Sequence, residues 1–153
     1  MDDKTYKKYL SVDYGTKRVG LASGTIFPAG LGVIDASKGE DFVLEEIKKI
    51  LDTDDFDGIV IGLPVRSQGE AGTLDSQIRA FGGKLLTSSG LDIFLEEEEF
   101  SSSEARDLLI SNKKKFQRKT GETDELAAII ILERFFDRIR NMPNIKPDMT
   151  NEG

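Results

Sequence analysis

The segment Ser11–Gly20, with the sequence SVDYGTKRVG, places one carboxylate and two cations around a glycine turn. Asp13 ends a short apolar run, so we expect it to leave a strand beside the bend at Gly15. A carboxylate there can bind a divalent metal ion, whereas Lys17 and Arg18 suit phosphate oxygens. The combination indicates chemistry on phosphate esters, and the alternative is a hairpin with solvated charges.

The composition limits which hydrolytic chemistry is available. The chain has 153 residues, no cysteine and no histidine. This excludes disulfides, thiolate zinc sites and every nucleophile pair that depends on a histidine base. Hydrolysis would therefore depend on carboxylates and a metal-activated water, and carboxylates prefer hard cations such as Mg²⁺ or Mn²⁺.

Charge and hydropathy give weaker guidance about partners. The formal net charge of −7 argues mildly against a general nucleic-acid binder. One short stretch is nevertheless strongly basic, and it reads either as a solvated helix end or as a phosphate-binding run: Lys113, Lys114, Lys115, Arg118 and Lys119. No apolar stretch is long enough to span a bilayer, so we expect a cytoplasmic protein without membrane association.

Periodicity predicts strands and helices in an order typical of an α/β fold. The predicted strands are Tyr9–Asp13, Val19–Ser23, Gly30–Ile34, Gly58–Leu63 and Leu91–Leu95. The predicted helices are Asp41–Leu51, Leu74–Thr87, one beginning after Ser101, and one from Thr123 to Arg140. An initial meander followed by alternating strands and helices implies a mixed sheet with helices on its faces. We expect one domain over 1–140 and a disordered tail over 141–153.

Three acidic positions could converge at one edge of this sheet. Asp13 ends the first strand, the run Glu96–Glu99 is expected to follow the last strand, and Asp124 lies in the first turn of the C-terminal helix. Parallel strands bring their carboxyl ends to a common edge. The alternatives are that Asp124 is an ordinary helix-start residue and that the glutamates form a solvated loop.

Three motifs resemble those of the YqgF family, a bacterial branch of the ribonuclease H-like fold described as pre-16S rRNA nucleases and related to Holliday-junction resolvases. The first is DYGTKRVGLA over Asp13–Ala22, and the second is Gly62-Leu63-Pro64 followed by Gly69 and Gly72. The third is DELAAIIIL over Asp124–Leu132. The resemblance implies a five-stranded mixed sheet, antiparallel then parallel, with helices on both faces.

The resemblance also implies an active site. Asp13, Glu98 and Asp124 would be the catalytic residues and the ligands of Mg²⁺ or Mn²⁺. Nucleic acid would be bound by Lys17, Arg18 and the basic stretch from Lys113 to Lys119. One departure is that Glu99 stands where the family has an arginine.

The family's substrate would be structured RNA at the 5′ end of pre-16S rRNA, with a four-way DNA junction as the alternative. A third possibility is an RNA-binding module of the same fold with weakened catalysis, which the Glu99 departure favours. We expect a monomer or a weak homodimer.

Overall fold

The computed structural model describes residues 6–64, 69–98 and 122–151, with the backbone alone described for 69–73, 98 and 122. The strands within these ranges are β1 (Tyr9–Asp13), β2 (Arg18–Gly24), β3 (Ala29–Asp35), β4 (Gly58–Pro64) and β5 (Asp92–Glu98). The α-helices there are α1 (Glu40–Leu51), α2 (Gly69–Ser89) and α3 (Glu122–Asn141). The helix predicted to begin after Ser101 lies outside the described residues.

The five strands form one mixed sheet in the order β3-β2-β1-β4-β5. β1 pairs antiparallel with β2, which pairs antiparallel with β3, while β1, β4 and β5 are mutually parallel. Val12, Ile61 and Leu95 share one register position across the parallel strands. The predicted α/β architecture is confirmed, and it brings the carboxyl ends of β1, β4 and β5 to one edge.

Alternation along the strands creates a core on each face of the sheet. On one face, α1 and α2 cover the larger core, which contains Leu10, Val12, Ile47, Ile61 and Phe81. On the other face, α3 covers a smaller and more aromatic core, which contains Tyr9, Val60, Phe94, Leu132 and Phe135. β4 is apolar at nearly every position because both of its faces are covered.

The segment after α3 corrects the prediction of a disordered tail over 141–153, as far as Asn151. Ile93 donates its N–H to the Met149 carbonyl at 2.9 Å, and Leu95 donates to Asp148 Oδ2 at 2.8 Å. Met149 also packs against the larger core. β5 is an edge strand, so the backbone groups on its outer side have no partner strand among the described residues. The tail forms hydrogen bonds with those of Ile93 and Leu95. The average composition did not predict this order, because only a few residues anchor a segment that is otherwise polar.

No helix among the described residues is long and apolar enough to cross a membrane.

Candidate metal and nucleic-acid site

Asp13 is the last residue of β1 and lies on the sheet face that α3 covers. Its side chain is partly buried. Burial, and to a smaller extent the negative charge of Asp124, raises the pKa of the Asp13 carboxyl from 3.8 to about 7. The structure therefore brings together two of the three predicted site carboxylates, which are far apart in the sequence.

Asp124 reaches this position because the first turn of α3 lies directly on β2. A Cβ atom at Gly20 would be 1.9 Å from the Asp124 carbonyl oxygen, so no side chain can be accommodated there. On the adjacent strand, a Cβ at Gly30 would be 2.2 Å from Glu125 Oε2. These glycines allow a close approach of helix to sheet that places the helix start beside the end of β1.

Arg18 forms an ion pair with Asp124, with 2.8 Å between Nε and Oδ2. The sequence predicts that Arg18 binds phosphate, but its guanidinium group is paired with a predicted metal ligand and holds that carboxylate in place. The neighbouring Lys17 is exposed. Within the part of the chain that the structure describes, Lys17 forms no ion pair, so it is better placed than Arg18 to bind a phosphate directly.

Two further hydrogen bonds connect α3 to the sheet, and neither was predicted from the sequence. Ser11 is fully buried and donates from Oγ to the Ala128 carbonyl at 2.7 Å. Glu125 Oε2 accepts the backbone N–H of Gly32 at 2.8 Å. Ser11 lies two residues before Asp13, and Ala128 lies one turn after Asp124, so the first bond links the two carboxylate-bearing elements. A serine amid apolar residues in the middle of a strand was the available signal for it.

The glutamate run does not follow β5 as predicted, because the strand continues through Glu98. Glu96 is buried, and it pairs with Arg138 at 2.8 Å. Burial raises the pKa of Glu96, although the charge of Arg138 opposes that shift. Arg138 makes burial of this carboxylate tolerable and so lets the strand extend. Glu97 is exposed.

Glu98 is placed by its backbone at the carboxyl end of β5, in register with Pro64. It lies two residues after Glu96, and alternation assigns both positions to the face that α3 covers. Glu99 and the predicted nucleic-acid contacts Lys113, Lys114, Lys115, Arg118 and Lys119 lie outside the described residues.

The chemistry of the site suits a hard divalent cation. Asp13 and Asp124 supply oxygen donors, and a cation between the two carboxylates would offset the burial and the repulsion that together raise the pKa of Asp13. Among the side chains that the structure describes, no set of three acidic groups is arranged to hold a metal ion.

The fold is shared with solved resolvase structures. A structure of Thermus thermophilus RuvC in complex with a Holliday junction substrate matches with a TM-score of 0.60 at 11% identity, covering 92% of this chain and 99% of that one. A second structure of Thermus thermophilus RuvC matches with a TM-score of 0.57 at 12% identity. These similarities establish the class, an α/β protein with a ribonuclease H-like fold.

The sequence defines the family more narrowly. Residues 7–138 match the RuvX family, described as Holliday junction resolvase, and the chain belongs to this family. A protein of Oleidesulfovibrio alaskensis named "Putative pre-16S rRNA nuclease" is 33% identical over 135 residues, covering 85% of this chain and 92% of that protein. A Serratia proteamaculans protein of the same name is 30% identical over 136 residues, covering 88% and 97%. The resemblance identified from the three motifs is confirmed.

Proposed function

We propose that this protein is a metal-dependent nuclease that hydrolyses phosphodiester bonds at the 5′ end of pre-16S rRNA. The observation that carries the proposal is the adjacency of Asp13 and Asp124, since two carboxylates in a partly buried site form the core of a metal centre. Membership of the RuvX family and the names of the relatives support a nuclease. The names of the relatives favour ribosomal RNA as the substrate.

In this proposal Asp13, Asp124 and Glu98 hold Mg²⁺, with Mn²⁺ as a substitute. The bound ion would supply positive charge for activating a water molecule and for stabilising the charge that develops on the phosphodiester. Arg18 holds the Asp124 carboxylate in place through its 2.8 Å ion pair. Lys17, and beyond the described residues the stretch from Lys113 to Lys119, bind the nucleic-acid backbone without reading sequence.

A cleavage assay with a matched pair of variants tests the proposal. The substrate is an RNA that carries the 5′ precursor end of 16S rRNA, incubated with Mg²⁺ or with EDTA. Asp13→Asn should lower kcat by about 10³-fold or more, because it removes a charged metal ligand. The control is Asp52→Asn, which changes an exposed acid after α1 and should leave cleavage unchanged. Cleavage in EDTA, or wild-type rates for Asp13→Asn, would contradict the proposal.

The second candidate is cleavage of four-way DNA junctions, which the family description favours. A junction resolvase needs two active sites related by a two-fold axis, so this activity requires a dimer. Cleavage of a junction and not of the RNA, together with a dimer in sedimentation, would select it. Binding of RNA with no cleavage by wild type would instead select the RNA-binding module. The cytoplasmic location and the weak or absent dimerisation remain predictions.

A further inference from the structure

A groove of about 550 Å³ lies between α3, β5 and the tail that follows α3. Four cationic side chains from three parts of the chain converge on it: Arg79, Arg134, Arg138 and Lys146. Arg134 and Arg138 are four residues apart on α3 and so share one side of the helix. The tail contributes Lys146, and the bonds of Asp148 and Met149 to β5 hold this part of the tail in place.

Three acidic residues line the groove; Glu97 is exposed, and the other two are engaged within the described part of the protein. Glu96 pairs with Arg138, and Asp148 Oδ2 accepts the Leu95 N–H. Arg134 and Lys146 are exposed, and in the described part of the chain neither forms an ion pair, although the charge of Arg134 acts on Glu96 and lowers the pKa of that carboxyl. In a protein with a formal net charge of −7, this groove therefore presents two available cations at one concave surface.

The groove opens at the same edge of the sheet as the carboxylates. Val12, Ile61 and Leu95 are aligned, so Asp13 and Glu96 each follow that position by one residue. One strand separates them, which corresponds to a distance of about 10 Å. Such a distance is roughly three stacked nucleotides at about 3.4 Å each. A strand held in the groove could therefore extend to Asp13.

We infer that this groove binds the phosphodiester backbone of the substrate strand a few nucleotides from the scissile bond, through Arg134 and Lys146. The inference rests on the proposed nuclease function and adds a substrate-binding surface to it. Contacts to phosphates alone carry no sequence information, so the groove fixes the position of the strand and leaves its sequence unread.

The test uses three variants, Arg134→Ala, Lys146→Ala and the double variant of these two positions. Each is compared with the control variant Arg140→Ala. Arg140 lies in the last turn of α3, pairs with Asp137 and does not line the groove, so it controls for the loss of a surface cation. Binding of the rRNA precursor and of a four-way DNA junction is measured in EDTA across a range of KCl concentrations. Cleavage of whichever substrate is cut is measured with Mg²⁺.

Each single variant should reduce the slope of log Kobs against log salt by about 0.7–0.9, because one phosphate contact is lost. The double variant should raise Kd and KM by about tenfold with kcat retained, and Lys146→Arg should restore binding. Equal effects on the two nucleic acids would indicate a shared backbone contact, and an effect on one alone would assign the groove to that substrate.

If the double variant has wild-type salt slopes and KM values and still cleaves, the proposal that the groove binds nucleic acid is overturned, and the nuclease proposal stands. If the wild-type protein neither binds nor cleaves either nucleic acid, both proposals are overturned. Circular dichroism and the thermal midpoint of each variant show whether folding is preserved.

Discussion

The two ends of α3 contact the same sheet in opposite ways. Its first turns contact glycine backbone and are held by polar bonds, with Arg18 binding Asp124 and Glu125 binding Gly32. Its second half packs aromatic rings, with Tyr9 and Phe135 centroids 4.9 Å apart and Phe94 and Phe135 centroids 5.0 Å apart. The first end presents charged groups beside Asp13, whereas the second buries apolar area.

This difference indicates that the two halves of α3 have different roles, one in stability and the other in placing charged groups. Aromatic burial is the larger source of stability, because each ring removes much apolar surface from water. Adjacent carboxylates are destabilising until a cation compensates them. The aromatic half of α3 thus holds the helix on the sheet, so that the first turns can carry groups whose placement serves chemistry.

The largest expected effect is on the aromatic half. Phe135→Ala should lower the free energy of unfolding by about 3–5 kcal/mol, because Phe135 is fully buried and its removal leaves a cavity. The measurement is urea denaturation followed by circular dichroism. Phe27→Ala is the control, since Phe27 is 81% exposed and its loss should change stability little. A similar loss in both variants would mean that ring burial does not anchor the helix.

At the carboxylate end, stability should depend on pH. The pKa of Asp13 is about 7 in the folded state against 3.8 as its ordinary value, so the folded protein binds this proton more tightly than the unfolded chain does. Stability from this group is therefore greatest below pH 4 and falls as the pH rises to 7, by about 2–4 kcal/mol in metal-free protein.

Asp13→Asn removes this dependence. In EDTA near pH 8 the variant should be more stable than wild type by about 2–4 kcal/mol, and the difference should shrink toward pH 4. Urea denaturation at several pH values measures both. Mg²⁺ should raise the stability of wild type and not that of the variant. A wild-type protein that is equally stable at all these pH values would show that Asp13 ionises normally.

The close approach at Gly20 predicts a smaller loss. Gly20→Ala forces the first turn of α3 away from β2 and should destabilise the fold by about 1–3 kcal/mol, as overpacking does. It should also reduce cleavage, because Asp124 moves with the helix. Gly83→Ala is the matched control: a Cβ there meets no atom within 4 Å, and alanine should stabilise α2 by about 0.5–1 kcal/mol. Equal effects of the two substitutions would rule out a specific contact at Gly20.

The sequence was sufficient for the strands and their order because hydrophobic periodicity responds to burial. The predicted Tyr9–Asp13 agrees with β1, and Gly58–Leu63 falls one residue short of β4. Asp13 and Asp124 could be proposed as neighbours because Asp124 lies in the first turn of a buried helix and both residues fall in motifs that resemble those of a known family. The shared edge of parallel strands, by contrast, concerned Asp13 and the glutamate run. The adjacency of Asp13 and Asp124 is seen in the structure, while their roles as ligands remain a proposal.

What the sequence could not supply depends on contacts between distant segments. Arg18 is predicted to bind phosphate but pairs with Asp124, and nothing in the sequence around Arg18 indicates this pairing. The pairing of Glu96 with Arg138 likewise allows Glu96 to be a buried strand residue, although the sequence predicts that it lies in a loop. In the tail, Met149 and Asp148 dock on the edge of β5, although the average composition there is polar.

The smallest expected effect concerns Glu125. Substitutions there distinguish the contribution of its hydrogen bond from that of its negative charge at the start of α3. Its carboxylate accepts the Gly32 N–H at 2.8 Å, so Glu125→Ala should lower the free energy of unfolding by about 1–2 kcal/mol. Glu125→Gln retains an acceptor oxygen and should lose less than half of that. Amide hydrogen exchange at Gly32 reports the bond directly and should accelerate in the alanine variant. If glutamine and alanine destabilise equally, the negative charge of Glu125 matters there rather than its hydrogen bond, and the polar end of α3 would be anchored by electrostatics.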